Sequence, residues 1–310
     1  MEEYAIRTEG LCKTYGSFFW KKKEPSLREL SLHIPKGVVF GFLGPNGAGK
    51  TTTIRLLMDL IKPSAGEAYI LGKPAADVKI KHRIGFLPDA PAFSSYLSAY
   101  EFLNICAKLH QIPSAIRRQR IDEVLDLVNM RKHAKSKLGG FSRGMVQRIG
   151  IAQAIMNHPD LLILDEPLVG LDPHGRQELK NIIKAQKDAG TNVFFSSHIL
   201  SDVEKMCDQI GILSQGRLLC CGPLGELLSN SGVEVKIKAG HDDLVKDLLP
   251  EATTTRKGGD GGWTIALKDS EAVKKICHDL EERYPDAVTV SISKENLEDF
   301  FFRQIETHGR

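Results

Sequence analysis

Two stretches of the sequence combine residue types that handle phosphate. The first is Gly44-Pro45-Asn46-Gly47-Ala48-Gly49-Lys50-Thr51-Thr52, which fits G-x-x-x-x-G-K-[ST] at every fixed position. The glycines let the backbone curl until several N–H groups point inward. The positive end of a following helix adds to them, so the loop suits a polyphosphate. Lys50 then reaches the β- and γ-phosphates, and the Thr51 hydroxyl holds Mg²⁺. The second stretch is LLILDEPLVGLDP, in which four apolar residues lead into Asp165 and Glu166. Asp165 in such a position binds Mg²⁺ directly or through water. Glu166 polarises a water in line with the γ-phosphate. His198 follows a third apolar run, Val193 to Phe195, and hydrogen-bonds a γ-phosphate from there.

These roles need strands and helices at fixed places. Val38 to Leu43 is a short run rich in Val and Phe and reads as a buried strand ahead of the loop. Thr52 to Leu60 has helical character, with apolar Ile54, Leu57 and Met58 and a stop at Pro63. Leu161–Leu164 and Val193–Phe195 read as further core strands. Open α/β sheets bind ligands outside the carboxyl ends of their strands, which is where all three acidic and basic groups fall. Farther upstream, Ser142 is a natural N-cap, and Met145, Ile149, Ala152 and Met156 repeat at helical spacing up to Pro159.

Composition narrows the setting. Lys plus Arg number 42 and Asp plus Glu 39 among 310 residues, so charge gives no case for nucleic acid as a partner. The chain is long enough for two compact domains. Its six cysteines form no C-x-x-C pair and read as reduced cytosolic thiols. No apolar run reaches the ~20 residues of a membrane helix. The N-terminus MEEYAIRTEG lacks a hydrophobic signal region. The expected location is the cytoplasm, with any membrane role exercised through a partner.

Over about residues 4 to 225 the chain resembles the ATPase subunits of ABC transporters. The resemblance rests on Gly44–Thr52, Asp165–Glu166, the GLDP turn with Asp172, and SSH with His198. It implies an α/β fold: a parallel-sheet core, an antiparallel β subdomain and a helical subdomain at about 90–158. It further implies ATP as ligand, Mg²⁺ as cofactor and a homodimer that sandwiches two nucleotides. Tyr15 in LCKTYG looks like the aromatic that stacks on adenine. FSRGMVQRIGIAQAI looks like the family's signature segment, whose Ser142 and Gly144 face the nucleotide of the other subunit. The usual segment has two glycines after the serine, and Arg143 replaces the first; it faces either solvent or the opposing phosphates. Gly139-Gly140 lies upstream and reads as a flexible joint. In IGFLPDAPAF the residue after proline is usually Gln and here is Asp89. That residue either reaches Mg²⁺ as an oxygen ligand or caps the next loop. Phe93, Tyr96 and Leu97 are candidates for a groove that seats a membrane partner, or for core packing.

Two domains are expected, 1–228 for the ATPase and 229–310 for an accessory α/β domain. VEVKIKA, WTIALK and AVTVSIS alternate as strands, SEAVKKICHDLEERY and NLEDFFFRQI read as helices, and KGGDGG is a turn. The set is compatible with a ferredoxin-like arrangement, and Phe300, Phe301 and Ile305 form a helical stripe. Tails ending in a NLEDFF helix are similar to those of ABC-2 type exporter ATPases for drugs, lantibiotics and sodium. The expected function is therefore ATP hydrolysis that energises export through a separate integral membrane permease. The alternative is an ATP-driven switch in a cell-envelope or pilus assembly complex. The segment GSFFWKKKEPS reads as a solvated hairpin loop or a contact with a partner or lipid headgroups.

Overall fold

The structure is a computed structural model that describes residues 4–16, 24–228, 231–248, 250, 252–259, 261–268, 271–294 and 296–308. Most of the GSFFWKKKEPS loop lies outside the described residues. The chain divides into two compact units, Met1–Gly222 with Gln304–Arg310, and Pro223–Arg303.

The first unit begins with β1 (Tyr4–Lys13) and β2 (Leu27–Pro35), then β3 (Val39–Leu43) and α1 (Lys50–Leu57). There follow β4 (Ala65–Ile70), β5 (Lys73–Pro74) and β6 (Ile84–Leu87). Three helices come next: α2 (Ala99–Leu109), α3 (Ser114–Leu127) and α4 (Arg143–Ala154). The unit returns to β7 (Leu161–Leu164), α5 (Pro173–Asp188), β8 (Asn192–Ser197), α6 (Leu200–Glu204), β9 (Gln209–Ser214) and β10 (Arg217–Pro223). β2-β1-β4-β5 form an antiparallel sheet. β10-β9-β3-β8-β7-β6 form the main sheet, parallel from β9 through β6. This is the expected cassette architecture, with helices α2 to α4 between β6 and β7.

Parallel strands covered on both faces are near-continuous apolar runs; β3, β7 and β8 are buried at every position, with Asn192, Ser196 and Ser197 of β8 the polar residues among them. Phe40 stacks on Phe194 at 5.7 Å between ring centroids, and Phe42 meets the same ring at 5.5 Å. Each such ring contributes about 1.5–3 kcal/mol by leaving water. These rings lock β3 to β8, so the loop after β3 and the residues after β8 hold a fixed spacing. α1 stops at Leu57, earlier than the expected Leu60. Asp59 adopts φ 56°, a left-handed conformation that ends the helix before Pro63 is reached.

The second unit holds α7 (Leu224–Leu227), β11 (Ser231–Ile237), α8 (Asp242–Leu248), β12 (Ala252–Lys257), β13 (Trp263–Lys268), α9 (Glu271–Arg283), β14 (Val288–Lys294) and most of α10 (Leu297–His308). From β11 to β14 the order is β-α-β-β-α-β, and the strands pair as β12-β13-β11-β14, all antiparallel. That is the ferredoxin-like arrangement. Its core includes Val235, Ile265, Leu267, Val273 and Leu280. In α10, Phe300 and Phe301 are buried and Ile305 half-buried.

Candidate active site

The phosphate loop joins β3 to α1. Gly49 caps α1 with φ 111°, and a Cβ there would lie 2.6 Å from the Ser26 carbonyl oxygen. A Cβ at Gly44 would lie 2.3 Å from the Leu213 carbonyl oxygen. Both positions therefore exclude a side chain. Lys50, the first residue of α1, is only 5 % exposed. Its Nζ donates to Gly44 O at 2.6 Å and to Pro45 O at 3.3 Å, and lies 3.2 Å from Glu166 Oε1.

The two carboxylates follow β7 directly. Asp165 N–H donates to Leu87 O at 2.8 Å, which ties the end of β7 to the end of β6. Asp165 Oδ1 accepts from Thr51 Oγ1 at 3.3 Å and from Ser196 Oγ at 2.7 Å. Burial pushes the Asp165 carboxyl above its ordinary range. The hydrogen bonds from Ser196 and Thr51 pull it back, while the charges of Asp89 and Glu166 add to the rise. Glu166 has φ 48°, a left-handed conformation rare for a residue with a side chain. Its N–H donates to Ser196 Oγ at 2.9 Å, and its Oε2 lies 2.9 Å from His198 Nδ1. The fold thus brings Lys50, Thr51, Asp165, Glu166 and His198 into one cluster. Tyr15 joins its margin, half exposed, with its hydroxyl 3.3 Å from Thr52 Oγ1.

Asp89 lies two residues past β6 and is exposed. Among the described residues its carboxylate makes no hydrogen bond, and no three His, Cys, Asp or Glu side chains form a ready metal cluster. Mg²⁺ requires less than that, because it takes one or two carboxylates together with substrate phosphates. Thr51 and Asp165 supply hard oxygen donors of this kind.

Ser142, Gly144 and Asp172 gather in a separate cleft of about 500 Å³, shared with Arg143, Arg148 and His133. Ser142 caps α4 and accepts from Met145 N–H at 3.4 Å. Asp172 caps α5 and accepts from Gly175 N–H at 2.9 Å. No hydrogen bond joins these three to the phosphate loop of the same chain among the described residues. Arg143 lays its stem over Gly170, where a Cβ would lie 2.7 Å from Arg143 Cδ. Of the three groove candidates, Tyr96 is 82 % exposed, Leu97 is half-buried, and Phe93 packs on Phe102 at 4.4 Å between ring centroids.

Two residues of the site escaped the sequence reading. Ser196 lies within SSH, where His198 carries the phosphate signal; a hydroxyl directly after the apolar run Val193–Phe195 is the signal that marks Ser196. Gln147 is 3 % exposed and donates from Nε2 to Pro167 O at 3.1 Å, joining α4 to the residue after Glu166. Its signal in the sequence is an amide in line with apolar Ile151 and Ala154 on the side of the helix opposite the Met145, Ile149 and Ala152 stripe.

A glycine loop between a parallel strand and a helix, faced by two carboxylates from the end of a strand one place removed across β8, defines a phosphate-loop ATPase. Comparison with known proteins specifies which kind. Residues 27–169 match the ABC transporter family. The chain is 44 % identical over 305 residues to the bacitracin transport ATP-binding protein BcrA of Bacillus licheniformis, covering 97 % of each chain. It is 36 % identical over 237 residues to the linearmycin resistance ATP-binding protein LnrL of Bacillus subtilis, covering 75 % of this chain and 74 % of that one. Among solved structures, a dimeric ATP-binding cassette in a post-hydrolysis state with ADP and Pi superposes with a TM-score of 0.65 at 25 % identity, covering 71 % of this chain and 98 % of that one. The chain belongs to the ABC transporter ATP-binding proteins and is an ATP hydrolase of that family.

Proposed function

We propose that this chain energises export through a separate integral membrane permease, by closing with a second copy around two ATP molecules. The observation that carries the reading is the convergence of Lys50, Thr51, Asp165, Glu166 and His198 on the mouth of one glycine loop. Whole-length likeness to an antibiotic transport ATP-binding protein supports export as the use of that chemistry. No helix among the described residues is long and apolar enough to cross a membrane, so the permease is a separate chain in this reading. The working location is the cytoplasmic face of the membrane.

In this reading Lys50 and the loop N–H groups bind the β- and γ-phosphates, and Tyr15 stacks on adenine. Thr51 and Asp165 hold Mg²⁺, with Asp89 as a further oxygen donor. When bound, the ion neutralises phosphate charge. Glu166 orients and polarises the attacking water, and His198 holds the Glu166 carboxylate and the γ-phosphate in register. Ser142, Gly144 and Asp172 act on the nucleotide of the other copy, consistent with their separate cleft.

Glu166→Gln tests the scheme because it removes the base and keeps the shape. The variant binds ATP, hydrolyses it at a small fraction of the wild-type rate, and accumulates as a dimer with ATP and Mg²⁺ in size-exclusion light scattering. A variant that stays monomeric at saturating ATP counts against the sandwich dimer.

A further inference from the structure

We infer that Ser196 is a positioning residue for hydrolysis, which sets both carboxylates of the site through one hydroxyl. The inference rests on the reading of Asp165 and Glu166 given above. Ser196 is fully buried near the end of β8, one residue past the pairing of Phe195 with Leu164 on β7. Its Oγ therefore faces the two residues that follow β7. A backbone N–H can only donate, so the 2.9 Å bond from Glu166 N fills one lone pair of Ser196 Oγ. An ionised carboxylate can only accept, so the Ser196 proton points along the 2.7 Å bond to Asp165 Oδ1. The hydroxyl has no freedom left to turn.

Each bond has a separate consequence. The bond to Asp165 occupies Oδ1, the oxygen that also receives Thr51. Both hydroxyls thus hold the carboxylate in one rotamer, with Oδ2 unengaged by protein donors among the described residues. The bond from Glu166 N holds a left-handed backbone at φ 48°. That conformation is strained for a residue with a Cβ and persists only when its surroundings over-determine it. From that backbone the Glu166 side chain meets Lys50 through Oε1 and His198 through Oε2. Among the described residues the Ser196 hydroxyl makes no hydrogen bond to the loop glycines, Lys50 or Tyr15, so its effect on turnover runs through the carboxylates.

The test uses the full chain with Ser196→Ala and Ser196→Thr. Thr keeps the hydroxyl and suits a strand. Ser196→Cys, of nearly the same volume with a weak donor, takes the place of Ala if Ala does not fold. For Ala, kcat falls by about 10- to 100-fold, the range expected for a lost hydrogen bond to a charged group. The affinity for a fluorescent ATP analogue in EDTA stays within twofold of wild type. Mn²⁺ binding to the protein–nucleotide complex, read by electron paramagnetic resonance, weakens, and the Thr variant recovers rate and Mn²⁺ affinity together. Wild-type kcat in the Ala or Cys variant overturns the inference. So does a rate loss matched by an equal loss of affinity in EDTA, or a loss that Thr does not relieve. If Glu166→Gln hydrolyses at the wild-type rate, the site reading itself fails. If Glu166→Gln is silent and Ser196→Ala is fully active, only the role of Ser196 fails.

Discussion

Lys50 Nζ lies 3.2 Å from Glu166 Oε1, with both side chains almost fully buried. The cation of the phosphate loop is thus paired with the carboxylate assigned to water activation. An incoming polyphosphate must share or take that cation, and it meets the negative charge of Glu166 while doing so. Glu166→Gln removes the charge and keeps a polar group of the same shape. It is expected to tighten ATP binding about fivefold, as the loss of one partly screened like charge implies. Titration with a fluorescent analogue in EDTA reads the binding step alone. Equal or weaker affinity would show that the pair places no restraint on nucleotide entry.

Gln147 ties α4 to Pro167 by a buried bond of 3.1 Å. Gln147→Leu leaves the Pro167 carbonyl without this donor, at a cost of about 1–3 kcal/mol. The melting temperature falls, and ATPase activity falls further than occupancy of the nucleotide site, because Pro167 adjoins Glu166. Thermal denaturation and steady-state hydrolysis measured on one preparation separate the two effects. An unchanged melting temperature would remove Gln147 from the support of the site.

Burial holds the Asp165 carboxyl above its ordinary value of 3.8. A carboxyl whose folded pKa exceeds its unfolded one takes up protons on folding. Stability therefore falls as pH rises through the window between the two values, and the full cost is present above it. Asp165→Asn removes the charge and can still accept from Ser196 and Thr51. The nucleotide-free variant should melt above wild type at neutral pH, with a gap that narrows as pH drops toward 3.8. Melting curves at several pH values check both the sign and the trend. A variant less stable than wild type at neutral pH refutes it.

The apolar core of the first unit draws on residues from Ala5 to Leu218, and that of the second on residues from Val235 to Val290. Every residue of the candidate site lies upstream of residue 230, so deleting residues 230–310, which also removes the Gln304–Arg310 part of the first unit, should leave a folded protein that binds ATP, with altered dimerisation or coupling. Circular dichroism and nucleotide titration of the truncated chain decide this. A folded truncation unable to bind nucleotide would place part of the site in the removed segment.

The sequence by itself determined the elements whose signals are local. Gly44–Thr51 is legible because a loop that cradles phosphate needs glycine where a Cβ would strike Leu213 or Ser26. Leu161–Leu164 is legible because a strand covered on both faces favours an unbroken apolar run, and all four of its residues are apolar. Ser142 is legible as a cap because its hydroxyl serves a backbone N–H three residues on. Three of the four strands in the second unit alternate and could be read. ATTTRK does not alternate; it becomes β12 at the edge of its sheet by pairing with β13. α8 was also missed, a short helix whose type is settled by packing rather than propensity. What only the tertiary structure decided is which groups meet. The Lys50–Glu166 pair joins residues far apart in the chain, and so do the two bonds of Ser196. These contacts depend on strand order and on backbone turns such as φ 48° at Glu166. Neither leaves a trace in the spacing of one sequence, because a hydroxyl or an amide looks the same there whether water or a carboxylate is its partner.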